Sequence, residues 1–194
     1  MKRTAQIKRK TKETDITLSL NIDDKYEAGN ISTGLGMLDH MLDLASFHGN
    51  FNLKLGAKGD IEVDYHHLIE DIAICLGLAL KQALGNKEGI ARYGCFFLPM
   101  DESLSRTVVD ISGRPFHVFE ANFNSEAVGK FPTQMIEHFF YSFAINAGIT
   151  LHQKVIYGDN DHHQLEALFK GLGKALNQAW QSSKKGVNST KGML

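Results

Sequence analysis

Excess charge of either sign is missing from this chain: 21 Lys and Arg stand against 22 Asp and Glu, a formal net charge of −1. A near-neutral chain lacks the field that drives general binding to nucleic acid or anionic membranes, so neither is an expected partner. Long apolar runs are missing too. None reaches the ~18 residues needed to span a bilayer. The basic start MKRTAQIKRKTKET has no apolar stretch behind it, so no secretory signal is expected. Cysteine is scarce: the two, Cys75 and Cys95, have no C-x-x-C spacing. Cys75 falls in an apolar helical run and reads as a buried free thiol, which fits a reducing cytoplasm. The 194 residues make one large or two small domains, enough to bury a core.

Histidine, by contrast, is abundant, with nine in the chain. Residues 66–84 read HHLIEDIAICLGLALKQAL and residues 162–180 read HHQLEALFKGLGKALNQAW, identical without a gap at nine of nineteen positions. His40 in MLDHMLDLASF precedes the first pair by 26 residues, and His138 in MIEHFFYSFAI precedes the second by 24. Leu38, Met41, Leu42 and Ala45, like Ile136, Phe139, Phe140 and Phe143, have helical apolar spacing. Strand-like runs follow at 51–59 and 149–158. Alternating β-branched runs precede at 12–22 and 105–113, with further strands expected near 4–10, 93–98 and 116–123.

The order strand, strand, short strand, helix, strand, helix therefore occurs twice. It predicts an α/β (α+β) fold made by internal duplication of a sheet-plus-two-helices unit. The helices of the two halves would pack between two outer mixed β-sheets. The half-repeats span 1–88 and 89–182, joined near GNKEG. The tail, 183–194, is polar and aperiodic, and by composition mobile.

In a helical HHxxE motif the glutamate shares a face with both histidines, Glu70 with His66 and His67, Glu166 with His162 and His163. Adjacent histidines diverge by about 100°, so each pair serves two ions or the two sides of one site. With His40 and His138 the inventory is six histidines and two glutamates, enough for two sites with open positions. No thiolate accompanies them, which disfavours structural zinc. Nitrogen and oxygen donors suit Mn, Fe, Co, Ni or Zn. One HH pair alone would read as solvated or capping histidines; two copies with repeated upstream partners would not. His48, His117 and His152 lack that doubled context. The pattern is neither the HExxH of zincins nor the paired ExxH of di-iron bundles.

Other residues are of the types that grip a phosphate: Arg92, Arg114 in SGRP, Lys170 four places after Glu166, and Ser189 and Lys191 in the tail. Glu13 and Glu102 open repeated strands at comparable places. Taken singly, each is an ordinary surface residue.

Together, LGMLDHMLDLASFHG (35–49), GDIEVDYHHLIEDIAICLG (59–77), PMDESLSRTVVDISGRPF (99–116), IEHFF (136–140), NAGITLH (146–152), GDNDHHQLEALFKGLGKAL (158–176) and STKG (189–192) resemble the imidazoleglycerol-phosphate dehydratase family. The resemblance covers nearly the whole chain, with Leu68, Gln164 and a short connection before STKG as local departures. With no phosphatase domain ahead of the match, the monofunctional form is expected. The resemblance implies metal ligands at His40, His66, His67, Glu70, His138, His162, His163 and Glu166, holding two Mn(2+) ions. It implies substrate contacts at Glu13, Arg92, Arg114, Lys170, Ser189 and Lys191, and catalytic roles for Glu13, Glu70 and Glu166.

It also implies a homo-oligomeric shell of octahedral symmetry built from trimers, with active sites at subunit contacts. The implied reaction, in L-histidine biosynthesis, takes water from D-erythro-1-(imidazol-4-yl)glycerol 3-phosphate and gives 3-(imidazol-4-yl)-2-oxopropyl phosphate. A metal-bound imidazolate would expel the adjacent hydroxyl, with Glu13 the first candidate for moving the proton. The competing reading is a metal-storing or buffering oligomeric shell without catalysis, which would have no use for a phosphate grip.

Overall fold

The computed structural model describes residues 2–183 and 186–192. Its first half runs β1 (Thr4–Lys10), β2 (Thr14–Asn21), β3 (Ile31–Ser32), α1 (Gly36–Gly49), β4 (Asn52–Gly59) and α2 (His66–Leu84). The second runs β5 (Tyr93–Met100), β6 (Ser103–Asp110), β7 (Phe116–Glu120), β8 (Ala127–Val128), β9 (Phe131–Pro132), α3 (Gln134–Ala147), β10 (Thr150–Tyr157) and α4 (Asp161–Trp180). The expected duplication is present as two sheets of like order, β1-β2-β4-β3 and β5-β6-β10-β7. Each is mixed: β3 lies parallel to β4 and β7 to β10, and the other pairs are antiparallel. The β8–β9 hairpin has no counterpart among the described residues of the first half. Strands two residues long leave no periodicity for sequence reading to find.

Strict alternation explains how the sheets face inward. In β2, Thr14, Ile16, Leu18 and Leu20 are buried and their neighbours are not. The helices fill the space between the sheets, but not half by half. α2 packs on β1 and β2, and across the molecule on α3; α4 packs on β5 and β6, and across on α1. Two repeated glycines allow this crossing. A Cβ on Gly77 would stand 2.6 Å from the Phe143 carbonyl oxygen, and one on Gly173 would stand 2.3 Å from that of Ala45. Backbone cannot yield as a side-chain tip can, so only glycine permits such close helix contact. Phe139, Phe140 and Phe169 stack at the centre, with centroids 4.7–5.5 Å apart. Burying each contributes roughly 1.5–3 kcal/mol. Cys75 is buried and free as expected, its thiol pushed up to about 11 by burial; Cys95 is free and exposed. Among the described residues no helix is long and apolar enough to cross a membrane.

Candidate metal centre

The first turns of α2 and α4 carry the paired histidines. The side chain of Asn160 caps α4, accepting from the backbone N–H of His162 and His163. Asp64 accepts from the N–H of His66 at 2.7 Å. The Asn160 cap and the Asp64 contact fix the helix starts, and with them the azimuth of each histidine.

The crossing of the helices then sorts the ligands. His40 of α1 joins His162 and Glu166 of α4, and His138 of α3 joins His66 and Glu70 of α2. In each triad the donor atoms lie within 4.8 Å of one another. His40 Nε2 and His162 Nε2 stand 3.1 and 2.9 Å from the same oxygen of Glu166. In the other triad Glu70 lies 3.6 Å from His66 Nε2 and 3.4 Å from His138 Nε2. His138 Nε2 is buried and has no hydrogen-bond partner among the described residues. An orphaned ring nitrogen facing a carboxylate and a second imidazole is the donor set of a divalent transition-metal ion, so the residues fit the metal.

His67 and His163 belong to neither triad, and their rings stand at 75° and 85° to those of their neighbours. His67 Nδ1 lies 3.0 Å from Asp60, and its Nε2 lies 3.9 Å from Glu13. His163 Nδ1 lies 2.6 Å from Glu102. These carboxylate contacts raise both imidazoles above their ordinary pKa. The hydrogen bond from His163 is the chief reason Glu102 is held down at about 2. Burial alone would raise the Glu166 carboxyl. Bonds from Lys170, His40 and His162 outweigh it and hold the group at about 2.

Sequence and structure comparisons bear on the whole chain. The family described as Imidazoleglycerol-phosphate dehydratase matches residues 33–176. An imidazoleglycerol-phosphate dehydratase of Acetivibrio thermocellus is 53% identical, covering 100% of both chains. That of Nitrobacter hamburgensis is 50% identical over 99% of this chain and 98% of its own. The crystal structure of the Staphylococcus aureus enzyme has a TM-score of 0.83 at 39% identity, covering 93% of this chain and 99% of its own. A Pyrococcus furiosus structure gives 0.84 at 38%, covering 97% and 100%.

The chain belongs to the imidazoleglycerol-phosphate dehydratase family. It is a hydro-lyase.

For this family member, the other sequence-derived candidates divide by place. Glu13 is exposed beside a 180 Å³ cleft that Arg9, His67 and Glu70 also line. Lys170 is largely buried against Glu166, 2.5 Å from Oε2, beside a triad and away from the remaining cations. Arg92, in a left-handed backbone conformation (φ +74°), is pinned through Nε and Nη2 to Asp110. Its Nη1 donates to the carbonyl of Asn188. Arg114 is exposed, 3.8 Å from the same Asp110.

The described tail is bonded to the body of the chain as far as Asn188. Gly89 donates to the Gly186 carbonyl and Asn188 bonds the Ala91 carbonyl. Residues 184–185 and 193–194 of the tail expected to be mobile lie outside the described residues. The tail's partners sit about a hundred residues away, so composition carried no sign of them. The Arg92 backbone N–H donates to the carbonyl of Ala179, near the far end of α4. The thirteen steps from Glu166 to Ala179 at 1.5 Å each put the arginine group about 20 Å from the triad on the same helix.

Three residues escaped the sequence reading as part of the site: Asp60, Asp110 and the His163 partner Glu102. Glu102 alone left a signal, its repeated position opposite Glu13. His117 is half-buried, with its imidazole pushed down to about 4 by burial, and takes no part in either triad.

Proposed function

We propose that this chain removes water from imidazolylglycerol phosphate in histidine biosynthesis, in the cytoplasm. Two divalent ions, manganese the expected metal, would be held in sites that neighbouring copies complete. The observation that carries the reading is the pair of matching triads, each drawn from both halves, with a further histidine of each HHxxE motif left outside its own triad. His40, His162 and Glu166 would hold one ion and His66, Glu70 and His138 the other, with His67 and His163 offered to adjacent copies. When bound, the ions supply Lewis-acid charge to the substrate's imidazole and hydroxyl groups.

The chain's own residues account for the remaining steps. Arg92, Arg114 and Lys191 carry three positive charges against the one of Asp110. The surplus suits a phosphate dianion, with Ser189 as a neutral donor. Lys170 keeps the Glu166 carboxylate anionic and lies where substrate would meet the triad. The exposed Glu13 carboxylate would take the carbon-bound proton and return it to carbon as the enol becomes the ketone, the enol's O–H proton completing the water that leaves. A three-carbon chain bearing an imidazole and a phosphate cannot bridge about 20 Å. The phosphate grip and triad serving one substrate would therefore come from different copies.

The outer face of the second sheet supports self-association. Tyr93, Phe97 and Phe116 on it are more than half exposed, whereas Gln6, Lys8, Thr17, Ser19 and Lys54 cover the first. A closed octahedral shell of trimers is the assembly proposed.

Purified protein given Mn(2+) and the substrate should release the ketone product, read by mass spectrometry. Metal uptake without turnover would overturn the dehydratase reading in favour of a metal store. Deleting residues 187–194 should raise the apparent Michaelis constant roughly 10–150-fold, for the loss of a charge-assisted contact of ~1.5–3 kcal/mol. Metal content should be unchanged.

A further inference from the structure

Resting on the metal reading above, we infer that Asp60 and Glu102 are positioning residues that fix the tautomer of His67 and His163. Glu13, the repeat counterpart of Glu102, is thereby released for work on the substrate. An ionised carboxylate only accepts hydrogen bonds, so Nδ1 of each imidazole carries the proton and Nε2 keeps its lone pair for a metal. The contacts are 3.0 Å for Asp60 with His67 and 2.6 Å for Glu102 with His163.

The two halves reach this arrangement by different routes. The Gly-Asp that closes β4, Gly59–Asp60, recurs after β10 as Gly158–Asp159. Asp159 nevertheless has no side-chain hydrogen bond among the described residues. Five residues separate Asp60 from His66, and a turn closed by the Val63 N–H to the Asp60 carbonyl brings the carboxylate back to His67. Only two residues separate Asp159 from His162, and Asn160 is taken as the helix cap. No chain is left to fold Asp159 back onto His163.

Glu102 fills the gap from the turn between β5 and β6. Its Oε1 accepts from the Asn160 N–H at 2.9 Å while Oε2 meets His163. In the first half the matching Glu13 does not contact Nδ1, and its carboxylate lies 3.9 Å from Nε2 instead. Inheritance explains equal residues at equal places. A carboxylate on the same ring atom supplied from unequal places points to a requirement.

The test is Mn(2+) affinity by equilibrium dialysis with chelator competition, together with steady-state kinetics on the full chain. Asp60→Ala and Glu102→Ala should each weaken Mn(2+) binding roughly 10–100-fold, with kcat recovering at saturating metal. Asp60→Asn should keep near-normal affinity, because its amide oxygen still accepts from Nδ1–H and the Asp60 carboxylate has no other hydrogen-bond partner among the described residues, and it covers the case in which the alanine variants fail to fold. Glu13→Ala should leave Mn(2+) affinity within about twofold and lower kcat by roughly 10²–10⁴. Unchanged affinity in both alanine variants, or equal weakening by Glu13→Ala, would overturn the division of labour. A wild-type chain that binds no divalent ion would sink the metal reading itself.

Discussion

Glu70 and Glu166 occupy the same turn of repeated helices, yet the Glu70 side chain is 37% exposed and that of Glu166 only 8%. Four residues on, the first helix has Ile74 where the second has Lys170, which reaches back to Glu166. The sheets beneath differ in the same sense. Ile16 and Leu18 of β2 correspond to Ser105 and Thr107 of β6, and Ala5 of β1 to Gly94 of β5. A Cβ on Gly94 would stand 1.9 Å from the carbonyl oxygen of Ala175, so α4 lies almost on its sheet. Ser105 donates to the Ala167 carbonyl in that narrow space. The second-half helix thus buries its glutamate under close polar packing, while the first leaves its glutamate more open on a conventional aliphatic layer. Duplication supplied equal donors, and the packing around them made the halves unequal.

The most forceful way to break the comparison is to neutralise each glutamate. Glu70→Gln and Glu166→Gln should both abolish bound metal and activity, as metal analysis after dialysis would show. Only Glu166→Gln should also cost about 3–5 kcal/mol in the metal-free protein, because it strands the Lys170 charge in a largely buried place. Equal melting temperatures for the two variants would remove the asymmetry.

Gly94→Val tests the narrow sheet–helix gap. It should cost about 3 kcal/mol by overpacking against backbone. Ala5→Gly at the corresponding position should cost about 1 kcal/mol for a lost buried methyl. Denaturant midpoints would compare them.

Acid sharpens the same contrast. The folded Glu166 carboxyl sits at about 2, below the ordinary 4.5, so its stabilising share is complete above about 4.5 and is lost as pH falls toward 2. The gap in melting temperature between the metal-free wild type and Glu166→Gln should therefore close over that window. A gap that persists at pH 2 would refute the assignment.

The smallest effect on the folded chain belongs to the outer faces. Phe97→Ser and Lys8→Ser should each change stability by no more than about 0.5 kcal/mol. Only Phe97→Ser should reduce particle size by light scattering.

Much of the fold was legible because two periodicities repeat. Alternation in 12–22 and helical spacing around His40 and His138 each reappear in the second half, and a local pattern seen twice overrides the noise in either copy. The β8–β9 hairpin and the bonded tail were not legible. The one is too short to show a period, and the other is held by Arg92 and Ala91 from far along the chain. Asp60 was hidden likewise, since it is defined by a partner in another element, and Glu102 showed only its repeated place opposite Glu13.

The sequence by itself determined the inventory. HHxxE on a helix dictates that adjacent histidines diverge and that each glutamate shares their face, because helical azimuth is set by position alone. The grouping of ligands was a tertiary decision. His40 could have joined Glu70 of its own half or Glu166 of the other, and identical motifs cannot discriminate. Gly77 and Gly173 lie where α2 meets the backbone of α3 and α4 meets that of α1. That close contact crosses the halves, and through it each triad takes its upstream histidine from the opposite repeat.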